Sequence, residues 1–175
     1  MKRAHKSERN MTRPNSKLIS PCLWFDSQAE EAATFYTSIF KDSEIGTIAR
    51  YGEAGKEIHQ KPVGSAMSVA FEINGQPFTA INGGPIFKLT EAISFQVMCE
   101  SQEEVDYYWE KLSEGGDPKT QQCGWLKDKF GVSWQVIPVE FLEIMKGPGA
   151  ERAMQAMFQM KKLDIGALRR AVEQR

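Results

Sequence analysis

One local pattern is written twice in this chain, and that repetition limits the fold more than any other feature. Residues 18–25 are apolar and rich in β-formers, so they read as a strand; Asp26-Ser27-Gln28 follows. Ser27 and Glu30 have the spacing of a capping box, in which a hydroxyl caps the first turn of a helix and a carboxylate reaches back. Ala29, Ala32, Ala33, Phe35, Tyr36, Ile39 and Phe40 then fall on one helical stripe. The pattern returns from residue 92. A strand over 92–99 leads to Glu100-Ser101-Gln102, Ser101 and Glu104 repeat the box, and Val105, Tyr108, Trp109 and Leu112 carry the stripe. Gly115-Gly116 supplies a left-handed stop.

Each helix is followed by a hairpin. Residues 67–73 and 77–81 flank Asn74-Gly75, a strong two-residue turn signal. Residues 124–126 and 132–136 flank Asp128-Lys129-Phe130-Gly131. One more strand is expected before each hairpin, over 44–51 and over 118–122. The unit is therefore a strand, a helix and three strands, present twice, which makes the chain α+β. The halves differ in length: 47 positions separate Ser27 from Asn74, but only 27 separate Ser101 from Asp128. The surplus lies mainly in residues 51–64, whose glycines and proline predict a long loop. After Pro138 the pattern becomes helical, with a break at Gly147-Pro148-Gly149 and an Asp164 cap on a last helix. The expected organisation is a disordered basic tail over 1–16, a paired domain over 17–138 with modules at about 17–85 and 90–138, and a helical extension over 139–175.

Charge and composition narrow the function classes. With 22 basic and 23 acidic residues the formal net charge is −1, which leaves no electrostatic footprint for nucleic acid or an anionic membrane. No apolar run approaches the roughly 20 residues that cross a bilayer. Cys22, Cys99 and Cys123 are odd in number and widely spaced, so a disulfide framework and a zinc knuckle both fit poorly. Three reduced core thiols in the cytoplasm are expected instead. Asn82-Gly83-Gly84-Pro85 precedes no helix and reads as a turn, not a nucleotide loop. No Gly-x-Ser-x-Gly elbow and no glycine-rich loop for a methyl donor are visible. Only His5 and His59 are present, neither on an expected strand, so a histidine-based dyad lacks its parts.

What remains is a set of neutral polar and aromatic residues on strands. Period-two alternation puts Ser20, Cys22 and Trp24 on one face, Ser94, Gln96 and Met98 on another, and Ser133 with Gln135 on a third. Large aromatics supply apolar area and amides orient a polar ligand, so Trp24, Gln96, Trp125 and Gln135 are the candidate ligand-binding residues.

Trp24-Phe25-Asp26 followed by Ala29-Glu30-Glu31-Ala32-Ala33-x-Phe35-Tyr36 resembles the first unit of the vicinal-oxygen-chelate superfamily, which includes glyoxalases, ring-cleaving dioxygenases and bleomycin-resistance proteins. Phe71-Glu72-Ile73-Asn74-Gly75-Gln76-Pro77-Phe78, Ile81-Asn82-Gly83-Gly84-Pro85 and the run from Gln122 to Gln135 resemble its PhnB-like branch, often labelled 3-demethylubiquinone-9 3-methyltransferase. The resemblance implies two βαβββ modules, a U-shaped mixed sheet around a cavity with the helices outside, and a homodimer. Unpaired sheet edges and a methionine-rich C-terminal stripe also favour a twofold homodimer. Metal enzymes of the superfamily draw ligands from the first and last strands of each module. Here those positions fall near Ser20 and Ser94 and at Gln135, while residues 77–82 offer no acid and no histidine. One amide among hydroxyls is a poor divalent-metal site, so a metal-free cavity with no cofactor is expected. Its role is to bind an unknown small molecule, with metal-independent isomerase, lyase or transferase chemistry as the alternative and a non-catalytic interaction role as the third.

Overall fold

A computed structural model describes residues 19–173 of the chain. The basic tail therefore lies outside the described residues. Strand β1 (Cys22–Phe25) leads into helix α1 (Ala29–Ile39), then β2 (Glu44–Arg50), a short helix α2 (Lys56–His59), β3 (Ala66–Ile73) and β4 (Gln76–Asn82). The second copy comprises β5 (Phe95–Cys99), α3 (Gln102–Ser113), β6 (Trp125–Lys127) and β7 (Ser133–Pro138), followed by α4 (Val139–Ile144), α5 (Ala150–Met157) and α6 (Ile165–Glu173). The strands form one four-stranded sheet in the order β1-β4-β3-β2 and one three-stranded sheet in the order β5-β7-β6. The described chain divides into two compact units, one holding residues up to Leu23 together with Ala29–Asn82, the other holding Trp24–Gln28 and everything from Gly83 onward.

In the first unit the expected stripe builds the core except at Phe35, which is half-buried. Ala29, Ala32, Ala33, Tyr36 and Ile39 are buried on α1 and face Val69, Phe71 and Ile73 of β3. Tyr36 stacks on Phe71, and Phe71 on Phe78, with ring centroids 6.2 and 5.3 Å apart. Each such side chain contributes about 1.5–3 kcal/mol by leaving water. The β3–β4 hairpin turns through Asn74 and Gly75, at φ 49° and 67°, with Ile73 opposite Gln76. Both central residues have positive φ, as the Asn-Gly pair predicts.

The second unit repeats the plan in a shorter form. Ser101 Oγ accepts from Glu104 N at 3.2 Å, and Glu104 Oε2 accepts from Glu100 N at 2.8 Å, so the second capping box forms. Gly115 ends the helix at φ 74°. In the C-terminal extension, Asp164 Oδ1 accepts from Ala167 N at 2.6 Å, and Ala153, Ile165 and Leu168 are buried.

Several expectations need correction. The segment 118–122 is not a strand: Pro118–Thr120 makes a single 3₁₀ turn capped by Asp117, and Gln122 forms only an isolated bridge to Trp125. Proline sets the first residue of that turn and lacks the N–H a ladder requires. The loop 51–64 contains the four-residue helix α2 and is closed at its base by Tyr51 N donating to Ser65 O at 2.9 Å. The first capping box does not provide the cap on α1. Ala29 N donates instead to Asn82 Oδ1 at 2.8 Å, from the far end of β4. Of the three thiols only Cys99 is buried. Cys22 is exposed because it alternates with buried Leu23, and Cys123 is half-buried in a left-handed turn at φ 52°.

Candidate functional site

Strand alternation in the second unit divides its sheet into two unlike faces. Val97 and Cys99 of β5 are buried, whereas Gln96 and Met98 are exposed. Burial, with the Glu104 charge adding to it, pushes the Cys99 thiol up to about 12, so this sulfur stays protonated and inert. On β7 every residue is buried except Gln135, which is half-exposed. The parallel register sets Gln96 opposite Gln135, and the antiparallel register sets Trp125 opposite Gln135. Three of the four residues singled out from the sequence therefore stand in one row across β5, β7 and β6.

Hydrogen bonds hold that row. Gln135 Nε2 donates to Ser94 Oγ at 2.7 Å, and Gln96 Nε2 approaches Gln135 Oε1 at 3.4 Å. Gln135 is thus oriented at both ends of its amide, while the Gln96 carbonyl oxygen and the Ser94 hydroxyl hydrogen remain available. Ser133 stands two residues before Gln135, on the same face by alternation. Its Oγ is buried and has no hydrogen-bond partner, a state that a native structure rarely leaves uncompensated. Lys127, two residues after Trp125, pairs with Glu91 at 2.7 Å, and that hydrogen bond holds the Glu91 carboxyl below the usual carboxylate range.

The donor set decides what this face can hold. Hydroxyls of Ser94 and Ser133 and amides of Gln96 and Gln135 are neutral, and the Glu91 carboxylate is committed to Lys127. Hard divalent cations prefer carboxylate cages and zinc prefers imidazole or thiolate, so these residues do not fit a catalytic metal. Among the described residues no group of three or more His, Cys, Asp or Glu side chains is placed to hold one. Ser20 donates to Pro77 O at 2.7 Å, so that hydroxyl is spent on a backbone carbonyl.

Trp24 does not join the row. Its indole Nε1 donates to Gly84 O at 2.8 Å, and its ring lies where a Cβ on Gly83 would come within 2.0 Å of Cζ2. Gly83 N donates to Phe25 O at 2.9 Å, and Gly84 sits at φ 89°. The two glycines of Asn82-Gly83-Gly84-Pro85 thus serve the Trp24-Phe25-Asp26 segment, one by leaving room for the indole and the other by presenting a carbonyl to it. Trp24 forms one wall of an open pocket of about 300 Å³, together with Phe87 and Phe130. Gln96, Trp125 and Gln135 do not line it.

Sequence reasoning missed the organising role of Asp128. Its buried carboxylate accepts from Phe130 N at 2.9 Å, Val132 N at 3.0 Å and Trp134 Nε1 at 2.8 Å. It shapes the turn that carries Phe130 to the pocket and delivers β7 to the row. An acid followed two residues later by Phe-Gly is a turn signal on which this role could have been suspected.

A family model described as 3-demethylubiquinone-9 3-methyltransferase matches residues 17–137. The chain is similar to a solved Bacillus cereus protein described as a putative 3-demethylubiquinone-9 3-methyltransferase, PhnB protein. Identity is 38%, covering 70% of this chain and 100% of that one, with a TM-score of 0.60. Two further structures share the fold. The Pseudomonas aeruginosa protein PA1353 is 20% identical, covering 69% of this chain and 96% of its own, with a TM-score of 0.53. The fosfomycin resistance protein FosX of Listeria monocytogenes is 18% identical, covering 77% and 100%, with a TM-score of 0.50. No curated protein matches the chain.

Proposed function

Because the chain belongs to the 3-demethylubiquinone-9 3-methyltransferase family, the PhnB-like branch of the vicinal-oxygen-chelate fold, we propose that it binds a small polar molecule through neutral side chains on an open sheet face. The observation that carries this reading is the Ser94–Gln135–Gln96 chain of hydrogen bonds with Trp125 beside it. The resemblance to metal enzymes of this fold puts ligand positions near Ser94 and at Gln135, and here those two side chains hydrogen-bond to each other. An amide fixed in this way presents a defined acceptor and donor, and the indole offers a flat apolar surface next to them.

The test is a calorimetric titration of small amides and carboxylates against wild type and Gln135→Leu. Gln135 is half-exposed, so the variant is expected to melt within about 1 kcal/mol of wild type. It is expected to lose the fragments that wild type retains, with Trp125 emission no longer responding to them. A variant that binds every fragment as wild type does would remove the row from the working site.

Homodimer assembly belongs to the same proposal. Strand β5 is an edge of its sheet, and Met98, Met154 and Phe158 are exposed apolar side chains in the same unit. Light scattering is expected to give twice the chain mass at micromolar concentration, and a monomer there would overturn this part. No helix among the described residues is long and apolar enough to cross a membrane.

A further inference from the structure

The pocket at Trp24 is distinct from the amide row and has its own chemistry. It lies wholly within the second unit, between the end of β1, the segment after β4 and the Asp128 turn. Its aromatic walls are set edge to face. Trp24 and Phe87 have ring centroids 4.9 Å apart at 75°, and Phe25 and Phe130 have theirs 6.2 Å apart at 74°. The Trp24 N–H is consumed by Gly84 O, so the indole offers a ligand only its ring. The Phe130 backbone is fixed by Asp128. The Trp24 and Phe130 walls are set before any ligand arrives, by these hydrogen bonds and by a glycine with no room for a side chain, while Phe87 stands exposed against the indole.

The polar groups at its rim are mostly donors. Gln28 Oε1 already accepts from Ser27 N at 3.2 Å, which leaves its Nε2 group to donate. Lys88 is exposed at the rim and brings a positive charge. Asp26 is the acid on the same wall and opposes every anion there, so the one lysine at the rim supports no more than a single anionic group. A volume of about 300 Å³ stands at the small end of ligand pockets, room for one or two rings.

From these features we infer that the Trp24–Phe87–Phe130 pocket is a binding site for a planar aromatic molecule of one or two rings bearing a single anionic group. The ring lies among the aromatic walls, and the anion is held at the rim by Lys88 and the Gln28 amide. This site does not depend on the proposed role of the Gln96–Gln135 row.

The experiment uses the full chain and three probes: 2-naphthoate, the neutral 2-naphthalenemethanol, and the non-planar cyclohexanecarboxylate. Calorimetry measures affinity, and the Trp24 indole N–H resonance, assigned by its loss in Trp24→Phe, reports location. Wild type is expected to bind 2-naphthoate best and to shift the Trp24 resonance. Lys88→Gln, at an exposed position that leaves the fold intact, should weaken 2-naphthoate about fivefold and leave the neutral probe unchanged, as a rim charge pair would. Phe87→Ala should weaken both aromatic probes. Gln135→Leu should bind 2-naphthoate as wild type does, which separates failure here from failure of the amide row. The inference is overturned by no saturable binding of 2-naphthoate at millimolar concentration. Equal binding of cyclohexanecarboxylate would overturn it too, as would equal loss of charged and neutral probes in Lys88→Gln, or shifts confined to indoles other than Trp24.

Discussion

Asp128→Ala is expected to cost about 3–5 kcal/mol of stability, because it strands three buried donors at once. The Phe130 and Val132 N–H groups and the Trp134 indole N–H all converge on this carboxylate, which is 3% exposed. Each buried group left without a partner costs about 1–3 kcal/mol, and a domain has only about 5–15 kcal/mol in hand. Asp128→Asn keeps the shape but exchanges one acceptor for a donor that faces another donor, so it should fall between the two. Urea denaturation followed by tryptophan emission reads the effect. An alanine variant within 1 kcal/mol of wild type would mean that the turn is held by something else. If the variant folds at all, its 2-naphthoate affinity should also drop, since Phe130 rides on the same turn.

Asn82→Leu is the second large effect, expected at about 2–4 kcal/mol. Asn82 is buried and works in two directions: its oxygen accepts from Ala29 N at 2.8 Å, and its nitrogen donates to Ala66 O at 2.9 Å. The leucine removes a helix cap, worth up to about 2 kcal/mol, and leaves a buried carbonyl without its donor. Asn82→Asp separates the two contributions. Its carboxylate still accepts from Ala29 N and carries a charge that suits a helix N-terminus, but it cannot donate to Ala66 O. The aspartate variant should therefore recover part of the loss in a denaturation series. If it is no better than leucine, the cap is not what Asn82 contributes.

The contrast between the two capping boxes shows where sequence reading succeeds and where it stops. Ser101 accepts from Glu104 N and Glu104 accepts from Glu100 N, all within five residues, so the pattern and the structure agree. Ser27 and Glu30 have the same spacing, yet α1 takes its cap from Asn82, 53 residues away along the chain, and Glu30 pairs with Arg50 at 3.1 Å instead. A residue that arrives by tertiary folding displaced the local partner, and no spacing rule could announce it. The candidate site divides in the same way. Alternation correctly separated Gln96 and Gln135 from the buried residues beside them, because a strand's two faces are a property of its backbone.

The sequence by itself determined the repeated unit, the Asn74-Gly75 hairpin, the second helix cap and which residues of a strand share a face. All of these are settled by groups within a few residues of one another, where propensity, φ restrictions and period decide. Only the tertiary structure decided that Gln96, Gln135 and Trp125 share one row and that Trp24 stands apart against Gly83 and Gly84. It also turned 118–122 into a 3₁₀ turn where a strand was expected. These outcomes depend on strand register and on which side chain reaches a buried partner first. Both are set by packing the whole core, in which a shift of one residue would reverse every face.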